Sequence, residues 1–474
     1  MLLNFQKFLF IFLVFYFLSL YCKIYRIGLS QEFRINIENR GERPRNFQPV
    51  TELRNGNKWI VVTSTNYPTD DVKRLATIPD WNLVVVADTK TPKDWNLDNV
   101  HFLSVDYQKN LSFSLISSLP HESYTRKNIG YLYAISHGAE WIYDADDDNK
   151  LYDKQGLKQF HFEETVSGVR YQAKSLEKED NSTGISKRLF NLYQFYGIDL
   201  MWPRGFPMEH IENHSNGLGQ QVLCYEMPRS AVQQGLVHND PDVDANYRLL
   251  NADPKTGLDI KFNEFAPPIT LSVGTYSPWN SQNTLFHKSA FHTLFLPTTV
   301  SFRTTDIWRS FISQKILHLS GLTVSFVPTN AVQFRNAHDY LKDFKNEQSV
   351  YEDSGRFLDF LHSWNCENGT VLENCMNQLA EDLVDYNFWG SEDAKLMKKF
   401  LSDLKMLEFE FPEILQEEYV EKYMASRNET ERNANCRRMN LQFELVDLQN
   451  YENQVLKRGS LLGCFFSKIL LEIK

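Results

Sequence analysis

The feature that most constrains the fold is a series of short β-branched runs that alternate with helix-like segments. "WIVVTS" (59–64), "LVVVAD" (83–88) and the weaker "VHFLSV" (100–105) have the composition of buried strands, and "DDVKRLA" has a helical pattern. Strands that alternate with helices are typical of parallel sheets covered on both faces. The sequence therefore predicts a mostly parallel α/β sheet.

The next strand-helix unit ends in a dense run of acidic residues. In "RKNIGYLYAISHGAEWIYDADDDN", Ile129, Leu132, Tyr133 and Ser136 share one helical face, and Gly138 is placed as a C-cap glycine before the strand "WIY". Ligands of open α/β sheets bind outside the carboxyl ends of the strands. We therefore expect the acidic run to lie at a ligand-binding edge.

Asp144, Asp146, Asp147 and Asp148 follow this strand directly. Neighbouring carboxylates in a partly buried site either take up protons or bind a cation. A hard divalent ion, Mn²⁺ or Mg²⁺, takes oxygen ligands and shares its remaining positions with substrate phosphates. We predict Asp144, Asp146 and Asp148 as metal ligands, and a solvated acidic turn is the alternative.

Other polar residues should meet at the same edge of the sheet. Thr63, Ser64 and Asp88 end the first two predicted strands. Arg126, Lys127 and Asn128 begin the helix before the acidic run, where cations are unfavourable unless an anion such as phosphate binds there. Freely solvated basic side chains are the alternative. The predicted ligands of a phosphate-bearing substrate at this edge are Thr63, Asp88, Arg126, Lys127, Asn128 and Asp144.

A second acidic set, in "NDPDVDANYR", comprises Asp240, Asp242 and Asp244, with Arg248 close by. A surface turn that includes a helix N-cap would also explain it. Transfer of a group to a hydroxyl needs a carboxylate that accepts the proton. Asp306 is the first candidate for this general base and Asp242 is the second.

The remaining motifs narrow the chemistry. His287 and His292 could ligate a metal, although a structural histidine is more common. The sequence contains no dinucleotide-binding Gly-x-Gly-x-x-Gly after its first strand, no Walker loop, no Gly-x-Ser-x-Gly elbow and no His-Glu-x-x-His. A haloacid dehalogenase phosphatase is disfavoured, because its Asp-x-Asp follows the first strand.

Length and charge bound the organisation of the chain. A chain of 474 residues is too long for one ordinary hydrophobic core, so more than one domain is expected. The net charge of −10, without a basic stripe, argues against nucleic acid as a partner. Amphipathic helical patterns dominate after residue 350, either as packing or as a partner surface. We predict an anchor at 1–22, a stalk at 23–56, an α/β domain at 57–349 and a helical region at 350–474.

The N-terminal run "FLFIFLVFYFLSLYC" (8–22) predicts a signal-anchor helix, and a cleaved signal peptide is the alternative. Lys23 and Arg26 after the run mildly favour a cytoplasmic body. Five Asn-x-Ser/Thr sites after the run favour a lumenal body. These are Asn110, Asn181, Asn213, Asn368 and Asn428.

Asn110 is expected to be modified less readily than Asn368, because it falls inside the predicted α/β domain. The pair Cys366 and Cys375 in "CENGTVLENC" would form a disulfide in an oxidising lumen, or remain as two free thiols.

The motifs occur in the order of a known family. The run from "KWIVVTSTNYPT" to the acidic residues, with "MWPRGFPMEHI", "DPDVDANYRL" and "GTYSPWNSQNTLFHKSAFHTLFLPTTVSFRTTDIWRS", resembles the STELLO-like glycosyltransferases over about residues 57 to 335. "PRGFP", "DPDVDA" and "DIWRS" are also similar to plant reversibly glycosylated polypeptides, which are UDP-sugar mutases.

The resemblance implies a GT-A-like, Rossmann-like fold and an Asp-x-Asp element that holds a metal-bound nucleotide diphosphate. Asp144 and Asp146 match that pair, and Asp147 matches the acidic residue after it. Arg204 matches the arginine that becomes glycosylated in the reversibly glycosylated polypeptides, and Asp306 matches their acidic position before tryptophan.

These observations predict a metal-dependent glycosyltransferase that uses a nucleotide sugar, with a UDP-sugar favoured, and a glycan, lipid or protein acceptor. The resemblance implies an anchored Golgi protein, so we expect a single-pass type II Golgi membrane protein with a lumenal body. The alternative is a catalytically silent scaffold that binds other Golgi glycosyltransferases.

Overall fold

One twelve-stranded sheet runs through the part of the chain that this computed structural model describes, namely residues 56–173, 188–211, 219–253, 255–334, 339–366, 371–415 and 436–438. The strands are β1 Lys58–Ser64, β2 Asn82–Ala87, β3 Val100–Leu103, β4 Trp141–Asp144, β5 Asn149–Leu151, β6 Thr165–Ala173, β7 Gly219–Pro228, β8 Val232–Asn239, β9 Ile269–Leu271, β10 Thr284–His287, β11 Val324–Gln333 and β12 Cys436–Arg438. The α-helices are α1 Asp70–Leu75, α2 Val105–Gln108, α3 Lys127–Ser136, α4 Leu192–Phe195, α5 Ala245–Asn251, α6 Thr305–Leu319, α7 Tyr340–Asn346, α8 Gln348–Ser363, α9 Leu372–Asp385 and α10 Ser391–Met406.

The first four strands form the predicted parallel unit. They lie in the order β3-β2-β1-β4, and each pair is parallel, as in the first half of a Rossmann-like sheet. Helix α3 packs on this unit at close range, because a Cβ at Gly130 would lie 2.6 Å from Cγ1 of Val61 and 2.7 Å from Cγ2 of Val86. Gly138 ends the helix as predicted, with φ of 79°.

The prediction of a mostly parallel sheet is wrong for the whole sheet. Beyond β4 the order is β10, β8, β11, β9, β6, β7, β12, with β5 beside β11. Of the pairings between described strands, five are parallel and six are antiparallel. Strands β10, β5 and β7 run antiparallel to the strands that they pair with. The mixed α/β sheet with covering helices still fits a GT-A-like fold.

Helices α8 to α10 share the core of the sheet region. Phe357, Leu379 and Phe400, from these three helices, belong to the same buried cluster as Trp308 of α6. Two buried aspartates of α10 also bind the sheet region: Asp393 accepts the N–H groups of residues 298 and 299, and Asp403 accepts those of residues 114 and 115. The apolar faces of these helices are therefore internal.

The predicted anchor (1–22) and stalk (23–56) lie outside the described residues, apart from residue 56. Within the described ranges, no helix is both long and apolar enough to span a bilayer. Cys366 and Cys375 form a disulfide with Cα atoms 5.4 Å apart, which confirms that pairing. Asn110 is exposed at the turn after α2, whereas Asn368 lies outside the described residues, so the expected difference in their modification stays a prediction.

Candidate active site

The carboxyl ends of β1, β2 and β4 meet at one edge of the sheet, as the sequence predicts. Ser64 at the end of β1 donates a hydrogen bond of 2.7 Å from Oγ to Oδ2 of Asp147. Asp88 follows β2 and accepts the N–H of Ser123 at 3.0 Å, so it ties the loop before α3 to this edge. Thr63 is half-buried within β1. The edge therefore gathers the predicted strand-end residues.

The four aspartates after β4 point to different partners. Asp144 is fully buried, whereas the side chain of Asp146 keeps 40% of its surface exposed. Asp147 binds Ser64, and Asp148 accepts a hydrogen bond of 3.3 Å from Nε2 of Gln333. Among the residues that the structure describes, no three His, Cys, Asp or Glu side chains converge on a metal position. The predicted three-carboxylate set of Asp144, Asp146 and Asp148 is thus not assembled.

Lys127 lies between the two carboxylates of the Asp-x-Asp pair. Its Nζ is 2.7 Å from Oδ1 of Asp144, 3.1 Å from Oδ1 of Asp146 and 3.1 Å from the carbonyl oxygen of Ser281. The side chain is fully buried. Burial lowers the pKa of Lys127, but the two carboxylates outweigh it and raise that pKa, so the ammonium stays charged.

Arg309 of α6 is a second cation at this site, and the sequence analysis missed it. Its Nη1 donates to Oδ2 of Asp144 at 2.9 Å and to the hydroxyl of Tyr131 at 3.2 Å. The sequence did contain a signal for Arg309: it lies three residues after Asp306 in "DIWRS", and residues i and i+3 share a helix face, so Arg309 could have been placed near the same site. Nε and Nη2 of Arg309 are buried without a hydrogen-bond partner.

The surroundings of Asp146 change its titration. Burial, followed by the charges of Asp148 and Asp144, raises the pKa of Asp146, and Lys127 opposes this rise. Since the carboxylate is partly exposed, water moderates the effect. Asp146 is the member of the pair that a ligand can reach.

The two residues that flank Lys127 are used internally. Arg126 donates to Oε1 of Gln108, and Asn128 exchanges hydrogen bonds of 2.9 and 3.0 Å with the backbone of Leu296. Arg126 and Lys127 are both buried, so the alternative of freely solvated basic side chains is wrong. The nucleotide-binding roles of Arg126, Lys127 and Asn128 remain predictions.

The three residues predicted as catalytic lie together. Nε of Arg204 is 3.0 Å from Oδ1 of Asp242, and its Nη1 and Nη2 are 3.1 and 2.9 Å from the two carboxylate oxygens of Asp306. Their side chains are only 5% to 10% exposed. Burial lowers the pKa of Arg204, but the two carboxylates raise it well above its usual value.

This closed geometry limits the chemistry of the cluster. A charged guanidinium is a poor nucleophile, so Arg204 offers no accessible group for glycosylation in this arrangement. Asp306 has both oxygens engaged, because Oδ2 also accepts the N–H of Ser281 at 3.3 Å. Ser281 contacts Lys127 through its carbonyl, so one continuous network joins the Asp-x-Asp pair to Arg204.

The rest of the second acidic set is structural. Asp240 pairs with Arg248, and Asp244 caps α5 by accepting the N–H of Tyr247 at 2.8 Å. Asp244 also accepts a hydrogen bond from Nε1 of Trp202. The helix N-cap explanation is therefore confirmed for Asp244.

Neither candidate histidine lies at the metal position. His287 pairs with Trp141, the first residue of β4, whereas Asp144 is the last residue of that strand. His292 is buried against the rings of Phe409 and Phe411, and burial lowers its pKa to about 3, so it is neutral.

Comparisons with known proteins agree with this architecture. A family model described as "STELLO glycosyltransferases" matches residues 303–470, which include α6 with Asp306 and Arg309 and the helical region. The Arabidopsis thaliana protein named "Probable glycosyltransferase STELLO1" is 32% identical over 360 residues, 76% of this chain and 45% of that protein.

A second Arabidopsis thaliana protein, named "Probable glycosyltransferase STELLO2", is 32% identical over 360 residues, 76% of this chain and 46% of that protein. The chain thus spans less than half the length of either relative. The order of motifs, the family match and these two relatives agree that the chain is similar to the STELLO glycosyltransferases.

Proposed function

We propose that this chain transfers a sugar from a nucleotide-sugar donor, with a UDP-sugar favoured, to a glycan, lipid or protein acceptor. The observation that carries the proposal is the partly exposed carboxylate of Asp146 at the carboxyl edge of the parallel strands. Two buried cations, Lys127 and Arg309, lie directly behind it. Similarity to the STELLO glycosyltransferases supports the same reaction class.

We also propose a divalent cation, Mn²⁺ or Mg²⁺, in a narrower form than the sequence predicts. Asp146 would hold it, with the charge of Asp148 nearby, and phosphate oxygens of the donor would complete its ligands. Asp144 does not fit a ligand role, because both of its oxygens are engaged by Lys127 and Arg309. When bound, such an ion supplies charge stabilisation to the departing diphosphate.

The network behind Asp146 would orient the donor. Lys127 and Arg309 fix the position of Asp144, so β4 and the aspartates after it are held at the sheet edge. Proton removal from the acceptor is proposed for Asp306 or Asp242. Either carboxylate must first loosen its contact with Arg204, because that guanidinium binds both in this structure.

Calorimetric titration of the full-length protein with UDP, with and without Mn²⁺, tests the donor site. We expect Mn²⁺-dependent binding, and we expect Asp146→Ala to weaken it by about tenfold to a hundredfold. Asp98→Ala is the matched control, because Asp98 is exposed before the amino end of β3, at the opposite edge of the sheet. Absence of UDP binding with either metal would refute the donor site.

A catalytically silent scaffold is the second candidate. The buried cluster of Arg204, Asp242 and Asp306 favours the scaffold, because Arg204 forms ion pairs with both candidate bases. The packing of α8 to α10 into the common core leaves their apolar faces unavailable to partner enzymes. Incubating the protein with UDP-sugars and measuring UDP release separates the candidates, since a scaffold releases none while still co-purifying with its partners.

We propose that the chain resides in the Golgi membrane as a single-pass type II protein with a lumenal body. The disulfide between Cys366 and Cys375 supports an oxidising compartment. Endoglycosidase treatment of the full-length protein from secretory-pathway cells should shift its mobility on a gel, with exposed Asn110 among the modified sites. A protein without a shift, and digested by protease added to intact microsomes, would place the body in the cytosol.

A further inference from the structure

Lys127 places a buried ammonium at the Asp-x-Asp pair. Its Nζ donates hydrogen bonds of 3.1 Å to Oδ1 of Asp146 and to the carbonyl oxygen of Ser281, and it forms an ion pair of 2.7 Å with Oδ1 of Asp144. With Arg309 paired to Asp144, two cations balance two carboxylates at the Asp-x-Asp pair. The pair is electrically neutral before any metal binds.

Neutrality has a direct consequence for a divalent ion. One carboxylate oxygen of Asp144 forms an ion pair with Lys127 and the other forms an ion pair with Arg309. Asp144 is therefore a poor metal ligand. Asp146 is partly exposed but shares one oxygen with Lys127. A single shared carboxylate is a weak site, because Mg²⁺-type ions in proteins need one or two carboxylates together with substrate phosphates.

We propose that Lys127 is a tethered cation that makes metal binding conditional on the donor diphosphate. Without a nucleotide, the ammonium fills the position between the two carboxylates and the protein binds a divalent ion poorly. With a nucleotide diphosphate, phosphate oxygens supply the missing ligands and charge, and metal and nucleotide bind together. This second half rests on the proposed donor site.

Electron paramagnetic resonance of free Mn²⁺ tests the proposal on the full-length protein. Wild type should bind Mn²⁺ alone at least about tenfold more weakly than it binds Mn²⁺ with UDP present. Lys127→Gln keeps a hydrogen-bond donor but removes the charge, and should tighten the binding of Mn²⁺ alone by about tenfold. Lys127→Gln combined with Asp144→Asn restores the charge balance and should cancel that gain.

The opposite results overturn the proposal: tight binding of Mn²⁺ alone by wild type, or a folded Lys127→Gln protein with unchanged Mn²⁺ affinity. Circular dichroism checks the fold, and if Lys127→Gln does not fold, the two wild-type titrations decide. A wild type that binds no UDP in any condition refutes the proposed donor site instead. In that case the Mn²⁺-only titrations of the variants still test the tethered cation.

Discussion

Two cation-carboxylate clusters lie on one hydrogen-bond network, and they differ in access to solvent. Lys127 binds Asp144 and Asp146, and the side chain of Asp146 is 40% exposed. Arg204 binds Asp242 and Asp306, and no side chain of this trio exceeds 10% exposure. The same residue types thus form two different clusters. Lys127, Asp144 and Asp146 with Arg309 form the open cluster, which a ligand can reach, and Arg204, Asp242 and Asp306 form the closed cluster, which is buried.

The difference assigns separate roles to the two clusters. A buried carboxylate needs a partner, so the closed cluster depends on its arginine for the integrity of the fold. An exposed carboxylate beside buried cations can exchange water for a ligand at little cost to the fold. We therefore expect substitutions in the closed cluster to act on stability and substitutions at Asp146 to act on binding.

The largest expected effect is that of Arg204→Ala. It leaves two buried carboxylates without their guanidinium, which should lower the free energy of unfolding by about 3–5 kcal/mol in urea titration. Arg204→Lys should recover little of this, because an ammonium cannot reproduce the paired contacts. Lys395→Ala is the control, since Lys395 and Glu392 form an exposed ion pair worth about 0.5 kcal/mol or less.

A loss below about 1 kcal/mol for Arg204→Ala would contradict the assignment of a structural role to this cluster. The residue would then be dispensable for folding, and a catalytic role for the arginine would regain support.

Arg309→Gln should have a smaller effect on stability, about 2–3 kcal/mol. Asp144 loses one of its two cationic partners but keeps Lys127 at 2.7 Å. Urea unfolding of Arg309→Gln and Arg204→Ala under the same conditions gives the comparison. A larger loss at Arg309 would show that the open cluster, too, is primarily structural.

Local sequence patterns predict the strands that hold the site well. The β-branched runs give β1, β2 and β4 to within one residue at most ends, because a buried strand needs those side chains in sequence. The parallel topology then places Ser64 beside Asp147 without further information. The Cys366–Cys375 pairing was also accessible, since the two residues are nine apart.

Long-range pairings escape such patterns. A helix start with Arg126 and Lys127 indicates anion binding only if the side chains face solvent, and the structure buries both. Arg309 meets Asp144 across 165 residues, and its spacing of three residues from Asp306 places it near the site without indicating that contact. Likewise, β10 returns antiparallel to β4, which turns a predicted parallel sheet into a mixed one.

The pH dependence of the free energy of unfolding tests whether burial raises the pKa of Asp244, which lies two residues after Asp242 of the closed cluster. Burial raises the pKa of Asp244 to about 6, against hydrogen bonds from Tyr247 and Trp202 that lower it. The folded state then binds a proton more tightly than the unfolded state, whose carboxyl titrates near 4. Asp244 therefore destabilises the fold when ionised, and stability from this group falls as the pH rises from about 4 to 6.

Urea unfolding of wild type and Asp244→Asn at pH 5 and pH 7 isolates this contribution. Relative to the variant, wild type should gain about 1 kcal/mol on going from pH 7 to pH 5. Comparison with the variant cancels groups that titrate equally in both proteins. An equal change in the two proteins would mean that Asp244 has an ordinary pKa and that water reaches it.

The smallest effect is expected for Asp148→Asn, which tests whether the second predicted metal ligand of the open cluster acts by contact or by charge. Asp148 accepts a hydrogen bond of 3.3 Å from Gln333 and is partly exposed. It is therefore expected to act on a cation at Asp146 mainly through its electrostatic charge, without direct contact. A unit charge a few ångströms away in a well-hydrated site contributes less than about 1 kcal/mol. Mn²⁺ binding in the presence of UDP should therefore weaken by only about twofold to threefold, well short of the loss at Asp146→Ala. A loss equal to that of Asp146→Ala would make Asp148 a direct ligand, and the open cluster would then hold its metal with two carboxylates.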